Sequence, residues 1–452
     1  LLGKATKDLD FAMDHTKGTE FANMLKVIAK SSDKVKKMSS IGETKENPDK
    51  SKHLATATFK IDILTDEGIV VLDIDCNHLR REEYKEDSRI PDVNFGTPQE
   101  DAVRRDFTVN SLFYNLNTRQ VEDWTGKGLT DMRDKVLRTC DDPMRTLDED
   151  PLRVLRAARF ASRLSYSVHE TIVKAAQDPS IQKKLEKKVS RERFGQELFK
   201  IFHERGKVHL GMRLINSWSL RSVVFRVPSN IQLEDWGKNQ QIYNWKIDMV
   251  GDADDQRNDD VSRQCLESLA KLEPLLTGTN LDPTDCFTLC LSAYLLPFAP
   301  FMVTDKKKGK PLIQHLVQEE IKLSGDIAKS CVITTKAAAQ FAQICNEFTS
   351  FDAQTRLIAG NTIKDAKGKY ELGLILAQVM NLPRGSFDAL YDWLHGESLL
   401  LNGVDFKYRQ MKPCEGKEAP TQAGPCYNWK HLIRGNELKF QVHGPEVSKL
   451  MT

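Results

Sequence analysis

Several signatures that would place a chain at once are missing from this one. Its nine cysteines show no metal-binding spacing. Nothing among them resembles the framework of a small secreted protein, which points to a reducing compartment. Cys286 and Cys290 stand four apart on an apolar stretch, the spacing of a helix core face. The ten histidines are scattered without an H-x-x-x-H or HD pair, so zinc hydrolysis has no support. Gly126-Lys127-Gly128 in "WTGKGLT" lacks the earlier glycine and the following Ser or Thr that a phosphate-cradling P-loop needs. One long apolar run exists, "CFTLCLSAYLLPFAPFMV" (Cys286–Val303), and Pro297 and Pro300 interrupt it. It reads as a buried helix followed by a loop, not a membrane span. There is no internal repeat, and the net charge is only +2. The chain opens at "LLGKATKDLDF" without a methionine, so its natural start is expected upstream.

What is present is unevenly spread. At 452 residues, 40% of them hydrophobic, the chain exceeds one core and should divide into several domains. Residues 182–208 are strongly basic and 251–260 acidic, a pattern that suits polyanion binding at one surface. Up to Arg138 the pattern is mixed α/β. "GTEFANMLKVIAK" has a helical period, while "ATATFKIDI", "GIVVLDIDC" and "VNSLFYNL" read as strands. "VEDW" would pair with the last of these through a turn at Asn117. From Asp148 onward helical periods dominate, as in "SRERFGQELFKIF", "DVSRQCLESLAKLEPLL" and "PLIQHLVQEEIKL". The polar stretch 31–52 is expected to be partly mobile. "GKNQ" near Asn239, "TDKKKGK" (304–310) and "KPCEGKEAPTQAGPC" (412–426) read as linkers.

Chemistry first suggests itself at "KDLDF". On a strand, residues i and i+2 share a face, so Asp8 and Asp10 would present two carboxylates side by side. Such a pair can hold a hard divalent ion such as Mg²⁺, which in turn holds phosphates. Asp73 and Asp75 in "VVLDIDCNHLR" repeat the alternation. Either could supply a further carboxylate, and a solvent-facing strand edge is the plain alternative. In "EDAVRRDFTVNSLFYN", Arg104 and Arg105 stand just ahead of an apolar strand carrying Asn110. An arginine fork beside a metal site can clamp a triphosphate, although a surface Arg pair has the same appearance.

The stretch "DEDPLRVLRAARFASRL" (Asp148–Leu164) opens with acids and continues with regularly spaced arginines. Pro151 suits the first helical position, which makes Asp150 the expected N-cap. Arg153, Arg156 and Arg159 form an i, i+3, i+6 row opposite Val154, Leu155, Ala158 and Leu164. The row is either a solvated face or one wall of a cleft with Asp150 and Arg153 at its mouth. A carboxylate accepts hydrogen bonds and a guanidinium donates them. Cytosine and adenine each offer an amine donor beside a ring-nitrogen acceptor, whereas uracil and guanine present the reverse. An Asp/Arg pair would therefore accept C and A and reject U and G.

Together these segments resemble the class II tRNA nucleotidyltransferases, or CCA-adding enzymes, of eukaryotic type. The likeness rests on Asp8 and Asp10 in "DLD", "NPDKSKHLATAT" (47–58), "RIPDVNFGTPQEDAVRRDFTVNSLFYN" (89–115), "VEDWTGKGLTD" (121–131), "EDPLRVLRAARFASRL" (149–164) and "VSRERFGQEL" (189–198). In the second half it rests on "HLIRGNEL" (431–438) and general helicity. The resemblance implies an α+β fold: a nucleotidyltransferase head with a mixed β-sheet and helices, then an elongated, all-helical neck, body and tail. The implied boundaries are 1–138, 139–225, 226–335 and 336–452. Asp8 and Asp10 would be catalytic and carry two Mg²⁺ ions. Arg105 would contact the nucleotide, and Arg104 and Asn110 are further candidates for binding it. Asp150 and Arg153 would read the incoming base, with Arg156 and Arg159 beside them. Implied partners are the tRNA 3′ end, CTP and ATP, with no membrane and a monomeric chain. The implied compartments are cytoplasm, nucleus and mitochondrion. Ser111 stands where the family usually has alanine, and the family's Gly-Gly and Arg-Asp segment, expected ahead of "LLG", is not in this chain. The chain also stops soon after "HGPEVSKLMT" and is expected to fall short of the family's last helix. A bacterial-type poly(A) polymerase or a CC-only or A-only enzyme shares the chemistry. A catalytically silent RNA-binding protein on the same scaffold is the rival of another class.

Overall fold

The computed structural model describes residues 3, 6–44, 56–83, 92–204, 206–233, 255–277, 279, 281–304, 309–347, 353–380, 382, 390, 398–401 and 404–407. The linkers expected near Asn239 and at 412–426, the "HLIRGNEL" segment and most of 304–310 lie outside these residues. The chain divides into two compact units, Leu1–Val189 and Ser190–Thr452.

Alternating side chains build the first sheet. Its strands are β1 (Asp8–Met13), β2 (Val35–Met38), β3 (Gly42–Thr44), β4 (Thr56–Thr65) and β5 (Gly68–His78). They run in the order β1-β5-β4-β2, with β3 also on β4. β1 lies parallel to β5, and β4 antiparallel to it. One face carries Leu9, Phe11, Phe59, Ile74 and Cys76 against Phe21, Ala22 and Leu25 of α1 (Gly18–Lys30). Burying a side chain such as Phe59 or Ile74 there is worth about 2 kcal/mol. The intervening residues, Asp8 and Asp10 among them, point to the opposite face and are exposed. α1 starts directly on the sheet: a Cβ on Gly18 would sit 2.0 Å from the Cys76 carbonyl oxygen.

Beyond the sheet follow the hairpin β6 (Arg80–Glu83)–β7 (Asp92–Phe95) and α2 (Pro98–Val103). Thr97 and Glu100 cap α2 reciprocally: the Thr97 hydroxyl accepts from Glu100 N–H (3.2 Å) and Glu100 accepts from Thr97 N–H (2.8 Å). The expected strand "VNSLFYNL" begins later than its composition suggests. Thr108–Asn110 is a 3₁₀ turn, and only β8 (Phe113–Asn115) is extended, pairing with β9 (Gln120–Glu122). Asn110 is thus on the turn, not the strand. Thr108 is fully buried, and its hydroxyl donates to Asp131 at 2.7 Å. That tertiary bond, with Ser111 donating to the Thr108 carbonyl (2.7 Å), holds the chain bent.

The unit closes with α3 (Gly128–Asp134), β10 (Val136–Leu137), α4 (Pro143–Glu149), α5 (Arg153–Leu164), β11 (Ser167–Val168), α6 (Glu170–Ala176) and α7 (Pro179–Lys188). Gly128 packs under the Thr108 carbonyl, 2.7 Å from where a Cβ would stand, so that glycine serves packing. α4 shows a plain Asp-Pro start: Asp142 accepts from Arg145 N–H at 2.9 Å, and Pro143 is its first residue; α7 starts in the same way at Asp178-Pro179. Regular helix in α5 begins at Arg153, two residues after the expected Pro151.

The second unit is mainly helical: α8 (Arg191–Phe202), α9 (Val208–Ser217), α10 (Arg221–Val224), α11 (Asp255–Leu276), α12 (Pro283–Leu295), α13 (Leu312–His315), α14 (Gly325–Glu347), α15 (Ala353–Asp365) and α16 (Tyr370–Ala377). It is not wholly helical. β12 (Ile231–Leu233), β13 (Phe301–Val303) and β14 (Lys310–Pro311) form a small sheet, and β15 (Ser398–Leu401) pairs with β16 (Val404–Lys407). The apolar run from Cys286 folds as the buried helix α12, with Cys286 and Cys290 in its core, then continues into β13 rather than a loop alone. "PLIQHLVQEEIKL" is helical but not one helix: α13 passes into a π-helical turn, Leu316–Glu320. There Glu320 is buried and paired with Arg191 (3.2 Å) and Arg226 (2.7 Å). Among the described residues no helix is long and apolar enough to cross a membrane.

Candidate active site

The open face of the first sheet carries two rows of aligned residues. Asp8 of β1 stands opposite Asp73 of β5, which stands opposite Lys60 of β4. One step along, Asp10 faces Asp75, which faces Thr58. Four carboxylates therefore share one patch, and the Lys60 ammonium pairs with Asp73 at 2.7 Å. Desolvation, followed by the repulsion of Asp10, Asp8 and Asp73, raises the Asp75 carboxyl above its usual pKa. Among the described residues no three His, Cys, Asp or Glu side chains close into a metal cage. An open set of hard oxygen donors is nonetheless what Mg²⁺ uses when phosphates complete its shell, so the residues fit a divalent ion shared with a substrate.

The arginines form a second group, organised by two buried acids. Asp101, on α2 and 2% exposed, accepts from Arg104 (Nε 3.0 Å, Nη2 2.5 Å) and Arg105 (Nη2 2.9 Å). It also accepts from Arg80 N–H at 3.3 Å, at the end of the chain segment leaving β5. Burial alone would push its carboxyl up, but the attraction of Arg104 and Arg105 outweighs it and holds the carboxyl below the usual value. Arg105 also donates to the Asn110 carbonyl (3.0 Å), and its guanidinium lies 4.8 Å from the centre of the Phe113 ring. Asp106, likewise buried, accepts from Asn110 Nδ2 (3.2 Å) and from Arg156 (Nε 2.8 Å). Beside this group, burial pushes the Cys140 thiol up to about 12, which keeps it protonated and unreactive.

The arginine row of α5 is not a solvated face. Arg153 and Arg159 are buried, along with Val154, Leu155, Ala157, Ala158 and Ala161. Arg153 donates to the carbonyls of Thr146 (3.0 Å) and Arg104 (2.9 Å) and to Glu149 (3.4 Å). Arg159 lies over Phe160 at 4.5 Å. Asp150 is the C-cap of α4: its carboxylate accepts from Leu152 N–H at 3.3 Å, and its carbonyl from Arg153 N–H at 3.0 Å. The N-cap of α5 falls on Leu152, without a side-chain cap, so Asp150 is not the helix N-cap expected of it; its carboxylate caps the short turn between the two helices.

The structure thus gathers Arg104, Arg105, Asn110, Arg153 and Arg156 into one hydrogen-bonded network. Asp8 and Asp10 meet Asp73 and Asp75 on the sheet. Sequence inspection overlooked Asp101, Asp106 and Lys60. For Asp101 a signal existed, since an acid three and four residues before two arginines shares their side of a helix. For Asp106 there was none, because its partner Arg156 is 50 residues away.

Comparison with known proteins falls in line with this geometry. A family profile described as the poly A polymerase head domain matches residues 1–138. The mitochondrial CCA tRNA nucleotidyltransferase of Candida glabrata is 44% identical over 391 residues, 82% of this chain and 70% of that protein. A tRNA nucleotidyltransferase of Schizosaccharomyces pombe is 30% identical, covering 99% of this chain and 88% of its own. Among solved structures, a tRNA nucleotidyltransferase complexed with a primer tRNA and an incoming ATP analog shares the fold, with a TM-score of 0.56. It is 18% identical and covers 86% of this chain and 91% of that chain.

Proposed function

The chain belongs to the CCA tRNA nucleotidyltransferase family, and we propose that it adds C, C and A, without a template, to the 3′ end of tRNA. The nucleotides come from CTP and ATP, and pyrophosphate leaves. The observation that carries this reading is the coexistence, in one compact unit, of paired carboxylate rows and an arginine network reaching the mouth of α5.

Nucleotidyltransferases of this kind use a divalent metal, and we assign two Mg²⁺ ions to Asp8 and Asp10, with Asp75 as the further carboxylate. When bound, such ions supply Lewis-acid activation of the attacking 3′-hydroxyl and neutralise charge on the triphosphate. Arg105, with Arg104 behind it and Asn110 beneath, clamps the phosphates; Asp101 fixes the direction of both guanidiniums. Asp150 and Arg153 read the Watson–Crick edge of the incoming base, accepting its amine and donating to its ring nitrogen. Arg156 and Arg159 back them from the same helix. We assign the head to 1–138, the neck to 139–225, the body to 226–335 and the tail to 336–452. The basic residues between 182 and 208 carry the tRNA backbone, and the chain acts as a monomer. The Candida glabrata relative is named mitochondrial, and we include the mitochondrion with the cytoplasm and nucleus among the compartments served.

The test uses tRNA lacking its last three nucleotides, Mg²⁺, and CTP and ATP singly and together. Addition of C, C and A that then stops supports the reading. Long A tracts would make the protein a poly(A) polymerase, whose head profile it matches. Binding without extension would make it an RNA-binding scaffold. Asp10→Ala should abolish CTP incorporation while leaving tRNA binding intact, and retained turnover would remove Asp10 from the mechanism.

A further inference from the structure

Of the residues aligned in the two rows of the open sheet face, Lys60 is the only basic one. It neutralises neither Asp8 nor Asp10 directly. Its ammonium sits 2.7 Å from Asp73, the carboxylate between Asp8 and itself. Both partners are well exposed, 64% and 47%, so the pair contributes little to stability. Its consequence is where charge is placed. Without Lys60 the patch would present four carboxylates on two adjacent strands with Asp73 no longer paired, and a divalent ion would face one more protein oxygen ligand. Mg²⁺ sites that work on phosphates keep coordination positions open for substrate and water. A fourth free carboxylate would fill one of them and would also repel the triphosphate.

We propose that Lys60 holds Asp73 out of the metal site, so that the ion is left to the Asp8 and Asp10 pair with Asp75 beside it. This inference rests on the assignment of a divalent ion to Asp8 and Asp10. Lys60 is in this sense a positioning residue: it acts on the metal site through Asp73 and does not touch the substrate. The raised pKa of Lys60, caused first by its hydrogen bond and then by its attraction to Asp73, with a smaller contribution from Asp8, agrees with that placement.

The test measures Mn²⁺ binding by electron paramagnetic resonance on the nucleotide-free full chain, and CTP incorporation across a Mg²⁺ series. Lys60→Met should bind Mn²⁺ roughly tenfold tighter, the size of one added charge a strand spacing away in water. Its incorporation should slow, with the Mg²⁺ optimum moved to lower concentration. Lys60→Arg keeps the pair and should retain wild-type Mn²⁺ affinity. In Lys60→Met/Asp73→Asn, affinity and rate should both return to within about twofold of wild type, because the freed carboxylate is gone. Unchanged Mn²⁺ affinity in Lys60→Met overturns the proposal. So does a double variant that binds Mn²⁺ normally yet stays as slow as Lys60→Met, since Lys60 would then serve the substrate directly. Asp10→Asn separates the two levels of inference. If it keeps full Mn²⁺ affinity, the metal assignment itself fails; if it loses affinity while Lys60→Met is unchanged, only the role of Lys60 fails.

Discussion

An Asp101→Asn substitution removes one negative charge from a position that is 2% exposed and serves two guanidiniums at once. The side chain keeps its volume, so packing stays and the charge alone is tested. Breaking a buried pair by neutralising one partner costs about 3–5 kcal/mol, because the remaining charge is left uncompensated. Here the guanidiniums are 15% and 28% exposed, so water recovers part of the loss. That places the cost near the lower end, about 3 kcal/mol. For a unit of 189 residues this lowers the melting temperature by roughly 6–12 °C. Differential scanning calorimetry on the full chain reads it in the transition of the N-terminal unit. Arg133→Ala is the control: its pair with Asp134 is exposed on both sides, and its loss should leave the transition where it is in wild type. Because Arg105 loses its orienting carboxylate, kcat/KM for CTP should also fall roughly tenfold. A melting shift under about 2 °C would refute the argument that Asp101 is the charge on which this network depends.

Asp150→Ala removes a cap and, on the proposed function, half of the base reader. Stability should fall by about 1 kcal/mol, and discrimination against UTP and GTP should relax by ~1–3 kcal/mol, read as misincorporation; an enzyme that stays strictly C- and A-specific reduces Asp150 to a cap. Gly18→Ala should destabilise the sheet by more than about 2 kcal/mol, since its Cβ would meet the Cys76 carbonyl at 2.0 Å and the obstacle is backbone; wild-type urea stability in that variant contradicts the close approach. The pH dependence follows from Asp101. Its folded-state pKa lies below the unfolded value, so its contribution is present above about pH 4 and is lost as pH falls through the folded value. In acid titrations Asp101→Asn should therefore show a shallower loss of stability than wild type, and an unchanged slope would contradict the assignment.

How far the sequence could be read depended on whether a local rule met a tertiary override. β1 alternates strictly and β5 does so from Asp73 to Cys76, and that period of two placed Asp8, Asp10, Asp73 and Asp75 on one face. "VNSLFYNL" misled because a short apolar run is consistent with a strand, while the bend at Thr108 is set by Asp131 and Ser111. Two Asp-Pro pairs stand eight residues apart, at Asp142-Pro143 and Asp150-Pro151. The first starts a helix in the usual way, and the second lies at a junction where one helix ends and the next begins. The arginines of α5 were hardest to place. Local periodicity puts such a row either in solvent or along a cleft, yet carbonyls of Thr146 and Arg104 and the distant Asp106 take them inward.

That inward turn bears on how a base-reading carboxylate could be selective. Asp150 is held by the turn it caps, and the turn by Arg153, whose guanidinium is fixed to two carbonyls. One of those carbonyls belongs to Arg104, whose own side chain is fixed by Asp101 alongside Arg105. The phosphate clamp and the base reader of the proposed function are therefore ends of one hydrogen-bonded chain, which runs from Arg105 to Asp150 through buried groups. Rigidity of this kind is what discrimination by hydrogen-bond direction requires, because a carboxylate free to rotate would also accept from the ring N–H of uracil. The buried charges cost stability that an apolar core would not lose, and their retention is explained if the position of Asp150 relative to Arg105 is what they secure.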